Sequence, residues 1–144
     1  MTSIDFYFNA EDRLQVACRL AGKAARASQR MLIYAPDADT AARIDRMLWT
    51  WPAIGFVPHC PVHAPIAAET PILISSAEEM PSGCELLLNL GSDCPPHFER
   101  FARLLELVGM DEDDKQAGRN RYRFYRERGY KLASHDLAQD QSHE

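Results

Sequence analysis

What this chain lacks narrows its function before anything it contains does. Neither G-x-G-x-x-G nor a phosphate loop ending in Gly-Lys-Ser/Thr occurs among its seven glycines. The first strand-like segment runs straight into Asn-Ala-Glu-Asp-Arg-Leu, whose acids repel phosphate. No dinucleotide cofactor is expected, and no other cofactor is signalled. Cys18, Cys60, Cys84 and Cys94 are irregularly spaced with no Cys-x-x-Cys pair, so neither a zinc site nor a disulfide framework is indicated and reduced, mostly buried thiols are expected. The G-x-S-x-G elbow is missing, and no His sits with Cys or Ser in a recognisable catalytic context. The paired acids Glu78 with Glu79, and 111–114, lie in polar segments where solvated carboxylates are far commoner than general acids or bases. No apolar run approaches the ~20 residues of a membrane span, and residues 1–13 lack the basic start and apolar core of a signal peptide. A cytoplasmic protein without membrane contact is expected.

What is present fits one globular domain. The 144 residues are 46 % hydrophobic and 26 % charged, enough to bury roughly two-thirds of the unfolded surface. Helical and strand periodicities alternate. Ile4, Phe6 and Phe8 interleave with Asp5 and Tyr7 as in a strand, and a helix carrying Leu14, Ala17, Cys18 and Ala21 follows, ending near Ser28. Residues 31–35 read as a short apolar strand stopped by Pro36. Asp37 or Asp39 can cap a second helix with Ile44, Met47, Leu48 and Trp51 on one side, ended by Pro52. Residues 71–75 and 85–90 read as buried strands, and a short helix is expected from His97. The segment 103–108 is ambiguous between helix end and strand. The strand is favoured because it keeps the alternation before the next capped helix. The pattern predicts an α/β fold: a single domain over 1–133 with a mostly parallel sheet flanked by helices, and a polar, flexible tail over 134–144.

Two segments carry chemistry. From Lys115 to Lys131 the chain holds seven of its sixteen Lys and Arg residues against one acid, Glu127. This stretch stands at +6 in a protein of net charge −5, leaving −11 elsewhere. Asp111 is placed to cap a helix whose first turn is acidic, and Gly129 is a natural stop. At ~100° per residue, Lys115, Arg119, Tyr122 and Arg126 share a stripe about 60° wide, with Arg123 on its shoulder. Gly118, Tyr122 and Tyr125 form a partly apolar stripe beside it. Cations, aromatic walls and one very small residue suit an acidic peptide or its terminal carboxylate; a solvated basic face is the plainer alternative. Direct DNA binding is not expected, since the whole chain is acidic and the patch is only one helix long.

The second segment is 47–59, MLWTWPAIGFVPH. Trp49 and Trp51 lie ~200° apart on a helix, so they cannot share a face and at least one is expected at the surface. Rigid aromatics beside prolines suit a protein interface because they bury large area while freezing few rotors; closure of the core over a sheet edge is the competing reading. Within the adjoining HCPVH, His59, Cys60 and His63 superficially resemble a metal site but no fourth ligand is signalled, so no metal is expected. The proline-rich stretch 52–71 reads as a loop with short strand pieces.

The combination L-W-x-x-P-x-x-x-F-V-P-H at 48–59 with K-Q-x-x-R-x-R-Y-x-x-Y-R-x-x-G-Y at 115–130 resembles the chi subunit of bacterial DNA polymerase III. The Phe6-Tyr7 strand, the Leu-Ile-Tyr-Ala strand at 32–35 and the Leu-Leu-Asn-Leu strand at 87–90 follow in the family's order. The resemblance implies a non-catalytic accessory subunit of the clamp-loader assembly. It also implies a single α/β domain reminiscent of nucleotide-binding folds in which no nucleotide site is used. Two partners are implied: the psi subunit, meeting Leu48, Trp49, Pro52, Phe56, Val57 and Pro58, and the acidic C-terminal tail of the single-stranded DNA-binding protein, meeting Lys115, Arg119, Tyr122 and Arg123 with Gly129 and Tyr130 nearby. A nucleotide- or nucleic-acid-binding enzyme on a doubly wound sheet is the alternative from another class.

Overall fold

The computed structural model describes residues 2–50, 58–62, 64, 70–76 and 83–138. Among these residues seven strands form one sheet: β1 (Ser3–Ala10), β2 (Met31–Tyr34), β3 (His59–Pro61), β4 (Ile72–Ser75), β5 (Leu86–Asn89), β6 (Arg103–Gly109) and β7 (Lys131–Asp136). Among the described residues the helices are α1 (Arg13–Arg26), α2 (Ala38–Thr50) and α3 (Glu112–Glu127), with a single 3-10 turn at Phe98–Arg100 where a short helix was expected. The strands lie in the order β3-β4-β2-β5-β6-β1-β7, and every pairing is parallel. The ambiguous segment 103–108 is a central strand, as the alternation required.

Strand periodicity sorts the core into two layers. Met31 and Ile33 pack with Leu14, Ala17 and Ala21 of α1 and Ile44 of α2, whereas Leu32, Leu87 and Leu104 pack with Tyr125 of α3. Continuous apolar runs such as Leu86-Leu87-Leu88 therefore serve both faces, which is why they do not alternate. Each of these three α-helices follows an aspartate. Asp12 Oδ1 accepts from the Leu14 and Gln15 amides at 3.0 and 3.3 Å, Asp37 Oδ2 from the Thr40 hydroxyl and amide at 2.8 and 3.4 Å, and Asp111 Oδ1 from the Asp114 amide at 2.8 Å. Carboxylates thus use donors that a helix would otherwise leave unpaired.

The expected tail begins too early. Ser134, His135 and Asp136 belong to β7, paired in register with Phe6, Tyr7 and Phe8 of β1. An edge strand buries little, so its composition, Lys-Leu-Ala-Ser-His-Asp, reads as a solvated tail; backbone pairing and local polar contacts order it instead. His135 Nε2 lies 3.2 Å from Asp5 Oδ1, its ring stacks on Tyr7 at 4.6 Å, and Asn9 Nδ2 donates to Asp136 Oδ1 at 2.9 Å.

Candidate functional site

The basic segment forms α3, stopped where Gly129 takes φ +83° after the Arg128 cap. Its inner face approaches β6 closely because Gly118 faces Val108; a β-carbon at 118 would stand 2.7 Å from Val108 Cγ2 and 3.1 Å from Cγ1. Only glycine permits this spacing. The approach leaves a groove of about 520 Å³ between α3 and the sheet surface of β1, β6 and β7. Phe6, Phe8 and Val108 supply an apolar floor, Tyr122 a side wall, and Lys115, Arg119, Arg123 and Arg126 a cationic rim. Phe6 and Tyr122 meet edge to face at 5.2 Å and 63°. Arg119 is exposed and its Nη1 donates to Gln116 Oε1 at 3.2 Å, leaving further guanidinium donors for a ligand. An apolar floor under guanidinium forks can hold an aromatic side chain and carboxylates together.

Another face of α3 enters a buried polar network whose residues do not line the groove. Arg121 Nε donates to Glu106 Oε1 at 2.9 Å, and its Nη1 to the Ser92 carbonyl at 2.8 Å. Tyr125 donates its hydroxyl to Glu106 Oε2 at 2.5 Å, and Asn89 Nδ2 donates to Glu106 at 3.0 Å. Glu106 and Asn89 are wholly buried. Burial pushes the Glu106 carboxyl above the usual carboxylate range, opposed by the Arg121 guanidinium and by the hydrogen bonds from Tyr125, Asn89 and Arg121. Burial, followed by the adjacent carboxylate, drives the Tyr125 phenol far above its ordinary value.

Of the residues expected at the tail site, Lys115, Arg119, Tyr122 and Arg123 converge on the groove. Two do not line it. Tyr130 packs edge to face on Phe98 at 5.3 Å, and Gly129 is an exposed turn residue. Tyr125, read as part of the half-apolar stripe, is fully buried. Sequence reasoning missed the floor, because nothing local says that β1 runs beneath α3. It also missed Glu106, although an acid among leucines in a strand signals a buried partner.

At the other segment, Leu48 requires correction: it is wholly buried in the core under α2 rather than surface-facing, because its helical position matches that of Ile44. Trp49 is 56 % exposed, as the helical spacing demanded for at least one tryptophan. Its ring lies 4.8 Å from that of His59, whose Nε2 is 3.2 Å from Asp45 Oδ1. Pro58 is exposed. Pro52, Phe56, Val57, Trp51 and His63 lie outside the described residues. Trp49 and the groove draw on opposite layers of the sheet, since α2 packs with one core cluster and α3 with the other.

Fold and site together define an all-parallel α/β domain with a cationic, aromatic-floored groove beside α3. Its helix N-termini are occupied by the chain's own carboxylates. The chain belongs to the DNA polymerase III chi subunit (HolC) family, whose sequence profile matches residues 1–133. It is 37 % identical to DNA polymerase III subunit chi of Pseudomonas aeruginosa over 141 residues, covering 95 % of this chain and 98 % of that protein. It is 29 % identical to the subunit chi of Escherichia coli over 119 residues, 82 % of this chain and 81 % of that protein. The subunit chi of Haemophilus influenzae is 29 % identical over 124 residues, 85 % of this chain and 86 % of that protein.

Proposed function

We propose that this chain is a non-catalytic adaptor of the clamp-loader assembly in DNA replication, joining the psi subunit to the acidic C-terminal tail of the single-stranded DNA-binding protein. The observation that carries the tail contact is the groove: four cations, Lys115, Arg119, Arg123 and Arg126, rim an apolar floor of Phe6, Phe8 and Val108. A tail ending in acids and a phenylalanine offers both handles, carboxylates for the guanidinium forks and a ring for the floor. Exposed ion pairs make such a contact weak and sensitive to salt. Weakness suits a link that must release as synthesis advances, and the many tails on coated DNA compensate through avidity.

The psi contact is assigned to the apolar surface around Trp49 and Pro58, together with Pro52, Phe56 and Val57. It is the tighter and less polar of the two. The adaptor is assigned to the cytoplasm, where replication takes place. The alternative of a nucleotide-binding enzyme gains no support from the helix N-termini, where Asp12, Asp37 and Asp111 use the amides a phosphate would need. Titration with a synthetic acidic peptide ending in phenylalanine, beside pull-down with psi, tests the assignment. Absence of peptide binding at low salt removes the tail role, and absence of psi capture removes the other.

A further inference from the structure

Capture of an acidic tail depends on where α3 points its arginines, and the side chains beneath the helix bear on that direction. On the helical wheel Arg121 and Tyr125 lie ~40° apart, while Lys115, Arg119, Arg123 and Arg126 cluster about 135° away from them. A helix held only by apolar packing can rotate by small angles at low cost, because such contacts are numerous and non-directional. Rotation of about 20° moves a head group ~6 Å from the axis by about 2 Å. A hydrogen bond tolerates only a few tenths of an ångström.

We propose that the buried cluster of Glu106, Arg121, Tyr125 and Asn89 is a positioning device that fixes the rotation of α3, and thereby preforms the cationic rim over the Phe6–Phe8 floor for an acidic peptide. It deepens the tail-binding reading and rests on it. Two helix residues one turn apart, Arg121 and Tyr125, grip the two oxygens of one carboxylate on β6. Arg121 and Asn89 tie the grip to the loop after β5 through the Ser92 and Asp93 carbonyls at 2.8 and 3.0 Å. Asn89 Oδ1 in turn accepts from the Gly91 amide at 2.9 Å. Every oxygen of Glu106 has a donor, so the anchor is directional and pinned to two adjacent strands. Gly118 sets how near the helix lies; the carboxylate sets which way it faces. None of the four lines the groove, so they act through Arg119, Tyr122 and Arg123.

The test uses the full chain, a synthetic acidic nonapeptide ending in phenylalanine, and the variants Glu106→Gln and Tyr125→Phe. Peptide affinity is measured by fluorescence anisotropy at a temperature where circular dichroism shows each protein fully folded. The Phe6–Tyr122 ring contact is followed by nuclear Overhauser effects. The expected result is at least tenfold weaker binding for Glu106→Gln and about threefold for Tyr125→Phe, with a weakened ring contact and unchanged psi capture. A merely structural role would lower melting temperatures and leave the affinity of the folded protein alone; that outcome overturns the proposal. Should Glu106→Gln fail to fold, Tyr125→Phe decides, since its ring packing is retained. If the wild-type chain does not bind the peptide, the tail reading fails and this inference with it. If wild type binds and Arg119→Ala with Arg123→Ala weakens it while both network variants bind normally, only the positioning inference is refuted.

Discussion

Replacing Arg119 and Arg123 together by alanine asks the groove to hold the proposed acidic peptide without two of its four cations. Both side chains are exposed, so the relevant loss is two charge-assisted hydrogen bonds in a partly wet site. Each such bond contributes about 1.5–3 kcal/mol when well formed, and exposure places these at the lower end. The pair should therefore cost about 3 kcal/mol of peptide affinity, roughly a 150-fold rise in Kd. Lys115 and Arg126 remain, so residual binding should persist at low salt. Folding should hardly respond. Arg119 donates to Gln116 on its own helix, and exposed substitutions without buried partners change stability by about 0.5 kcal/mol, a melting shift of under about 2 °C in a domain of this size. Calorimetric titration with the acidic peptide, beside a thermal melt, gives both numbers. Unchanged Kd refutes the groove as the tail site, and a collapsed melt refutes the reasoning that these arginines are free of the core.

The two proposed interfaces should part company with ionic strength: raising salt from 50 to 300 mM should weaken the peptide complex about tenfold or more while the psi complex persists, and a parallel response would contradict the division. Trp49→Ala should cost about 2 kcal/mol or more of psi affinity with little change in melting, whereas Leu48→Ala should destabilise the fold by about 2–5 kcal/mol, so adjacent residues of one helix should give opposite patterns in pull-down and thermal melts. Gly118→Ala should destabilise by about 1 kcal/mol despite alanine's better helix propensity, because both methyls of Val108 stand in its way; if denaturant melts show stabilisation, the close approach of α3 is not real. Cys18 is buried and its thiol is pushed up to about 12 by desolvation, so iodoacetamide at neutral pH should label it only after denaturation; rapid labelling in the native state would place it elsewhere.

The sequence by itself determined the local structure and the chemistry of the basic helix. Asp111 and Gly129 marked the ends of α3, Asp37 or Asp39 marked the start of α2 and the structure selects Asp37, and the stripe of Lys115, Arg119, Tyr122 and Arg126 was legible because helical geometry repeats over a few residues and needs no knowledge of the rest of the chain. The spacing of Trp49 and Trp51 required one of them at the surface for the same reason. Leu48 was misplaced because a motif assigns a segment to a surface, whereas the helical face assigns each residue separately. Only the tertiary structure decided what lies opposite the helix. The sheet order put β1 between β6 and β7, and this alone brought Phe6 and Phe8 beneath α3 and gave the arginines an apolar floor. It also turned a polar C-terminal stretch into β7, since an edge strand is held by backbone hydrogen bonds that side-chain composition does not encode. Glu106 and Arg121 became partners for the same physical reason. Their attraction acts between elements that periodicity describes one at a time, and the direction from which a buried charge is met is fixed only when the sheet and the helix that covers it have come together.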